Sequence, residues 1–385
     1  MPGHEVFDFR ERAAVDEVFQ ANGGVLFAHG FEGIRNGVYR VREYEMAFAE
    51  YFNFPHAQAV SSGSAALKIA LECAGVVPGD EVIIPAHTFI ATAEAVLQVG
   101  AVPVVVDIDE SLNMDPAAME QAVTSRTRAV IPVHMMGEMA NMPAIVDSAQ
   151  RHDVTVIEDC AQALGASLNG EPAGAFSRAA AFSTDAGKTL CTGEGGMVVT
   201  FEANDHVDAR ARHDHGHAYD PSVPRGLDPV VSTGFNYRMT EIQAAIGIVQ
   251  LEKLDEIVAR QRANKARLTE LLGSIPVEFR HTIDPNGDAG DTLVMFMEDA
   301  IRAQAVARIL TESGYGTKNL PSAMKWHFAA CWPHLLGEPG GRWERSRSIL
   351  ERSVALGVSV TWSATDVERL ADAVQAAVGR AAEGL

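Results

Sequence analysis

Residues 57–107 read AQAVSSGSAALKIALECAGVVPGDEVIIPAHTFIATAEAVLQVGAVPVVVD, and this stretch decides the fold. Three short apolar runs, Ala57–Val60, Val82–Ile84 and Val102–Asp107, alternate with two stretches of helical periodicity, Ala65–Ala74 and Ala91–Val99. Apolar runs that skip the polar alternation of a half-exposed strand belong to sheets covered on both faces, and helices between them make parallel connections. The pattern continues with a helix over Pro116–Val123, a strand over Ala129–Val133, a helix over Met142–His152 and a strand over Val154–Glu158. An α/β fold with a mostly parallel central sheet follows. Ligands of such sheets gather beyond the carboxyl ends of the strands, where Ser61–Ser64, His87–Phe89, His134–Gly137 and Asp159–Gln162 stand.

Toward the N-terminus, residues 8–20 carry helical periodicity and end at Asn22-Gly23-Gly24. The segment Phe27 to Arg42 reads as a loop holding Arg35, Arg40 and Arg42, either a solvated connector or an arm that carries arginines to an acidic substrate. A short helix is expected over Glu43–Phe52.

Beyond the alternating region, Ala181–Thr200 places Lys188 among small and turn-forming residues, followed by Gly193-Glu-Gly-Gly196 and a strand at Val198–Thr200. Arg210–Val230, with His213, Asp214, His215 and His217, lacks periodicity and reads as a functional loop. Thr240 is suited to cap a long helix that reaches about Leu272. A composition shift at 273–291 precedes a strand at Thr292–Met297, a helix over Ala300–Ser313 and a final helix from Ala364. The expected division is a large α/β domain with an N-terminal arm over 1–250, and a linking helix with a small α+β domain over 251–385.

Composition narrows the function. With 47% hydrophobic and 21% charged residues in 385, the chain can bury a sizeable core. A net charge of −20 argues against nucleic acid or an anionic membrane as partner, since both reward a basic face. The four cysteines, Cys73, Cys160, Cys191 and Cys331, show no C-x-x-C spacing and fit a reducing compartment. No leader of basic then apolar residues is visible, and no apolar run reaches the roughly 18 residues of a membrane span, so a cytoplasmic protein is expected.

Taken singly, the candidate residues are ambiguous. Lys188 suits a surface hairpin as well as a Schiff-base amine. Ser61-Ser-Gly63-Ser64-Ala65 opens a helix, either as a simple cap or as a phosphate site at the positive end of its dipole. Asp159 ends a buried strand and needs a partner there, whether a structural donor or a protonated pyridine nitrogen. Phe89 and His87 suit core packing or stacking on a flat ring. The histidines of 213–217 have no further spaced ligands, so no metal is expected. Jointly, a phosphate nest, a stacking aromatic, a buried aspartate and a lysine are the parts that pyridoxal 5′-phosphate (PLP) requires.

The ordered pieces Ser62-Gly-Ser-Ala-Ala-Leu67, Pro85-Ala-His-Thr-Phe89 with Ala91-Thr92, Glu158-Asp-Cys-Ala-Gln162, Ser183 with Lys188, Gly193-Glu-Gly-Gly196 and Gly234-Phe-Asn-Tyr-Arg-Met239 resemble the DegT/DnrJ/EryC1/StrS sugar aminotransferases. That resemblance implies the PLP-dependent aspartate aminotransferase fold (type I). It also implies that Lys188 is the Schiff-base lysine and proton shuttle, Asp159 the partner of the ring nitrogen, and Phe89 the stacking residue. Gln162 would lie near the phenolic oxygen, and Gly63, Ser64, Ala65 and Ser183 would hold the phosphate. Asn236 would reach the phosphate of the other subunit, making a homodimer with shared active sites.

Met1-Pro-Gly, Arg35-Asn36, Asp214-His-Gly-His217 and Trp326-His-Phe328 with Trp332 and His334 look most like the branch that aminates C8 of 3,8-dideoxy-octulosonate. Arg35, Arg40, Arg42, His215, Trp326 and His327 are the substrate-contact candidates. Thr184-Asp-Ala-Gly187, where an aromatic is common, departs from the pattern. The expected reaction moves an amino group from glutamate or glutamine to a keto or aldehyde carbon of a sugar. The competing readings are a sugar dehydratase, in which histidine typically replaces the lysine, and a non-catalytic regulator, which would lose the lysine or carry a DNA-binding extension.

Overall fold

A computed structural model describes residues 3–220, 222–338 and 340–383. Of the opening Met1-Pro-Gly, only Gly3 falls among them. In chain order the elements are α1 (Phe9–Ala21), α2 (Arg40–Phe52), β1 (His56–Val60), α3 (Gly63–Cys73), β2 (Glu81–Pro85), α4 (Ala91–Gln98), β3 (Val102–Val106), α5 (Pro116–Gln121), β4 (Thr127–Val130), α6 (Met142–Arg151) and β5 (Thr155–Asp159). A small hairpin, β6 (Ser167–Leu168) and β7 (Glu171–Pro172), precedes β8 (Ala179–Ser183), β9 (Gly196–Thr200), α7 (Ala203–Arg212), α8 (Glu241–Glu252) and α9 (Leu254–Leu272). The remainder holds β10 (Glu278–Phe279), β11 (Thr292–Phe296), α10 (Ala300–Glu312), α11 (Pro333–Leu336), α12 (Glu344–Glu351), β12 (Ser353–Gly357) and α13 (Ala364–Ala382).

Seven strands form the central sheet in the order β1-β9-β8-β5-β4-β2-β3. The neighbours from β8 to β3 pair in parallel, whereas β9 runs antiparallel to both β8 and β1. The parallel strands therefore all end on one edge, which is where the site lies. One face is covered by α3 and α4 through residues such as Leu67, Ile69, Leu71 and Val96, and the other by α2 and α6 through Phe48, Phe52, Ile145 and Ala149. A second, antiparallel sheet, β10-β11-β12, packs Leu293, Met295 and Val354 against α10 and α13.

Local signals placed most helix starts. Asp8, Ser62, Asp115, Thr240, Asp299 and Ser363 each accept an amide of the following turn. Three expectations change. The loop from Phe27 ends at Tyr39, so Arg40 and Arg42 lie in the first turns of α2. The long helix after Thr240 breaks at Lys253, whose ammonium turns aside to Glu11 (2.5 Å) and the Val6 carbonyl (2.8 Å). The start of the polar loop is instead helix α7, which carries Arg210. Strand β8, Ala-Ala-Ala-Phe-Ser, was hidden because alanine has little strand preference, yet all five residues are buried. No helix among the described residues is long and apolar enough to cross a membrane.

Candidate active site

The carboxyl ends of β1, β2, β5 and β8 open into one cavity of about 230 Å³, lined among others by Gly63, Ser64, Phe89, Asp159, Gln162, Ser183, Lys188 and His327. Asp159 closes β5 and is 3% exposed. Its carboxylate accepts the Thr92 hydroxyl (2.8 Å) and the Ala161 amide (3.1 Å), and Thr92 is in turn bonded to Thr88 (2.7 Å). Burial pushes this carboxyl above its usual range, opposed by those two donors and by the charge of Lys188. Such a carboxylate gains most from a cation placed directly against it.

Lys188 follows β8 through a tight turn. Asp185 accepts the Gly187 amide on its side chain (2.7 Å) and the Lys188 amide on its carbonyl (3.0 Å), which turns the lysine back over the sheet edge. The ammonium lies 3.6 Å from the Asp185 carboxylate and its side chain is 14% exposed. The cavity thus holds a mostly covered amine and a buried carboxylate.

At the start of α3, the Ser62 hydroxyl accepts the Ala65 amide (3.1 Å), leaving the Gly63 and Ser64 amides as the first orphan donors of the helix. A Cβ on Gly63 would lie 2.7 Å from that of Ser183, so glycine is what allows the helix end to approach the end of β8. The Ser183 hydroxyl, two orphan amides and the helix dipole form an anion cradle. Ala65 is not part of it: its amide is used by the cap and its side chain packs in the core.

Phe89 is 44% exposed at the cavity, with its ring 5.3 Å from that of His327. Residues 326–328 reach this edge because the amides of Thr88 and Ile90 bond the carbonyls of His327 (3.1 Å) and Trp326 (2.9 Å). Burial and the nearby charges of Lys188 and Lys318 push His327 down to about 4, so its ring is neutral at physiological pH. Gln162 accepts the Met136 amide on its side chain (3.3 Å). Thr88, Thr92, Asp185 and Glu194 also line the cavity and were not singled out in the sequence. Thr92 was legible as part of Ala91-Thr92, but nothing local tied it to Asp159.

Other candidates lie elsewhere. Arg35 is fully buried, paired with the equally buried Glu241 (2.9 Å) and donating to the carbonyl of Phe27 (2.6 Å). Arg40 is taken by Glu43 (2.6 Å) and Glu17 (3.0 Å). Both therefore brace the N-terminal arm, which corrects their assignment to substrate. Arg42 is exposed and stacks on Tyr39, and His215, Trp326 and Asn236 are exposed outside the cavity lining. Removing Arg35 strands the Glu241 carboxylate, so Arg35→Ala is expected to cost about 3–5 kcal/mol in urea unfolding. The acceptor KM of the enzyme that still folds should not move.

The histidine-rich loop is organised by Asp214, which accepts Tyr219 (2.5 Å), Arg225 (2.6 Å) and Arg238 and is held well below the usual carboxylate range by them, against its burial. His134, Glu158 and Cys160 cluster under the sheet. There, Glu158 already accepts His134 (2.9 Å) and the amides of Gly174 (3.1 Å) and Phe176 (2.8 Å), a structural knot rather than an open ligand set.

Residues 32–375 match the DegT/DnrJ/EryC1/StrS aminotransferase family. The chain belongs to this family. DegT/DnrJ/EryC1/StrS aminotransferases use PLP. Among relatives, the chain is 46% identical to the GDP-perosamine synthase of Caulobacter vibrioides over 57% of this chain and 58% of that one. It is 43% identical to the L-glutamine:2-deoxy-scyllo-inosose aminotransferase of Micromonospora echinospora over 62% and 58%. The chain thus spans less than two thirds of the length of these curated relatives. Over 97% of its length it superposes on 98% of the aminotransferase from Psychrobacter cryohalolentis, with a TM-score of 0.88 and 26% identity.

The residues present fit the family's cofactor. The Gly63–Ser64–Ser183 cradle matches a phosphate, the under-compensated Asp159 a protonated ring nitrogen, and the covered Lys188 amine a carbonyl carbon.

Proposed function

We propose that the protein is a PLP-dependent aminotransferase that carries an amino group from glutamate or glutamine to a keto or aldehyde carbon of a sugar or sugar acid. The observation that carries this reading is the meeting of Lys188 and Asp159 in one cavity at the sheet edge, beside an anion cradle. PLP, when bound, supplies a carbonyl carbon for amines and an electron-withdrawing ring that stabilises negative charge on the neighbouring carbon.

The residues divide the work. Lys188 Nζ would hold the cofactor through its carbonyl carbon and would accept and return the proton at the donor or acceptor carbon. Asp159, aimed by Thr92 and the Ala161 amide, would keep the ring nitrogen protonated. Gly63, Ser64 and Ser183 would hold the phosphate, Phe89 would cover the ring, and Gln162 would meet the phenolic oxygen. A neutral His327 opposite Phe89 offers a hydrogen-bonding wall without a second positive charge.

Asn236 is exposed and outside the cavity of its own chain, in a stretch that also exposes Leu227, Val230, Val231 and Phe235. Covering that apolar surface with a second copy supports a homodimer in which Asn236 completes the partner's phosphate site. His215, Trp326 and Arg42 remain substrate-side candidates on the rim. A 3,8-dideoxy-octulosonate is our more specific choice of acceptor, resting on the resemblance of the flanking motifs. The cytoplasm is the matching location, and a division of large and small domains near residue 250 agrees with the helix break at Lys253.

The test loads the protein with PLP, follows single turnover with glutamate and with glutamine, and then offers keto sugars to the amine-charged enzyme. Nitrogen in the sugar product supports the reading. Loss of water from the sugar without nitrogen transfer would make it a dehydratase, and no change in donor or sugar would point to the regulator.

A further inference from the structure

The sequence left Gly3 to Glu11 without any chemical role, yet this segment runs directly beneath the lysine turn. Gly3 is buried, and its amide donates to the Lys188 carbonyl (3.0 Å). The ring of His4 bonds the Ala186 carbonyl through Nδ1 (2.9 Å). A carbonyl only accepts, so Nδ1 carries the proton. The two carbonyls that flank Gly187 are thus both held from below by consecutive residues. Gly3 is also sterically fixed: a Cβ there would lie 2.7 Å from the Thr189 carbonyl oxygen and 2.8 Å from the Cys191 nitrogen.

The far side of the segment is anchored in three places. Glu5 accepts the Ser359 hydroxyl (2.5 Å), past the end of β12. The Val6 carbonyl and the Glu11 carboxylate both accept the Lys253 ammonium, at the α8–α9 break. Glu11 also accepts Gln250 (2.7 Å), whose other side-chain atom takes the Cys191 amide (3.5 Å). The strap is therefore bonded to the chain on both sides of Lys188, through residues 3–4 at Ala186 and Lys188 and through Gln250 at Cys191.

We infer that Gly3 and His4 are positioning residues for Lys188, forming a strap that fixes the backbone of the reactive lysine to the α8–α9 joint and to the region after β12. This rests on the reading of Lys188 as the cofactor-binding amine. An amine that must reach two carbon centres in turn tolerates little displacement, and a shift of about 1 Å can cost on the order of 100-fold. His4 is exposed, so its substitution leaves the core intact.

Three variants test the strap. His4→Ala removes the donor, His4→Asn returns an N–H close to the Nδ1 position, and Gly3→Ala drives a methyl against Thr189 and Cys191. In the cofactor-free protein, amide exchange over residues 184–192 should speed up at least about 10-fold in His4→Ala and Gly3→Ala and return toward wild type in His4→Asn. In the loaded protein, the pH midpoint of the visible band of cofactor joined to Lys188 should shift in the same two variants, with kcat about 10- to 100-fold lower and donor KM little changed. Unchanged exchange and an unmoved midpoint in His4→Ala would overturn the inference, as would an His4→Asn no better than His4→Ala. Lys188→Ala is the control: if it keeps the band, the reading of Lys188 has failed rather than the strap.

Discussion

Lys188→Ala should lower turnover by at least about 10,000-fold, because in the proposed function one amine performs both covalent capture and proton transfer. Its ion-pair partner, the Asp185 carboxylate 3.6 Å away, is partly exposed, and the buried Asp159 keeps its bonds from Thr92 and the Ala161 amide, so the fold should persist. Circular dichroism and thermal unfolding should therefore match wild type while single-turnover amine formation disappears. The visible band of cofactor joined to the lysine should vanish with it. Lys188→Arg should not rescue, since a guanidinium stays protonated and cannot serve as base. A Lys188→Ala protein that retained the band and full transamination would end the proposed function.

Asp159→Asn is the second large effect, and it should have opposite signs with and without cofactor. In the loaded enzyme the substitution removes the partner of the ring cation, and losing a buried ion pair of about 3–5 kcal/mol corresponds to a fall in turnover on the order of 100- to 5,000-fold. In the cofactor-free protein, Asp159 has a carboxyl whose pKa lies above its unfolded value. The folded state then binds the proton more readily than the unfolded chain, so stability falls as pH rises through the window above the unfolded pKa. Asparagine carries no such charge. Thr92 and Thr88 can rotate their hydroxyls to accept from its amide, and Ala161 can still donate to its oxygen. Cofactor-free Asp159→Asn should be as stable as wild type near pH 4 and more stable at pH 8, measured by urea unfolding at both. Equal stability at the two pH values, or an undiminished rate, would contradict the assigned role.

Both predictions concern residues that were visible in the sequence, for related reasons. Asp159 ends a strand that the alternation of apolar runs with helices revealed, as it revealed β1 to β5 to within about three residues, and Lys188 stood out among the small and turn-forming residues around it. The anion cradle was visible too, as a serine cap and a glycine at the start of a helix. These features are encoded by periods and caps a few residues long.

What was missed or misplaced depends on partners far away in the chain. Nothing near Arg35 announces that Glu241 will be folded against it, so an arginine-rich loop looked like a substrate arm. Strand β8 is mostly alanine and acquires its conformation from the strands on either side and from α3 above it. Thr92, in the first turn of α4, gains its meaning only when the folded sheet, with β4 between β2 and β5, brings it to the end of β5.

The sequence alone therefore determined the α/β architecture and the family, and pointed to the two residues we propose for the chemical centre, because each rests on local periodicity or a contiguous motif. Only the tertiary structure decided which arginines are free, what supports Asp159 and what lies under Lys188. Burial and hydrogen-bond distance are properties of pairs, and the chain does not reveal its long-range pairs until it has folded.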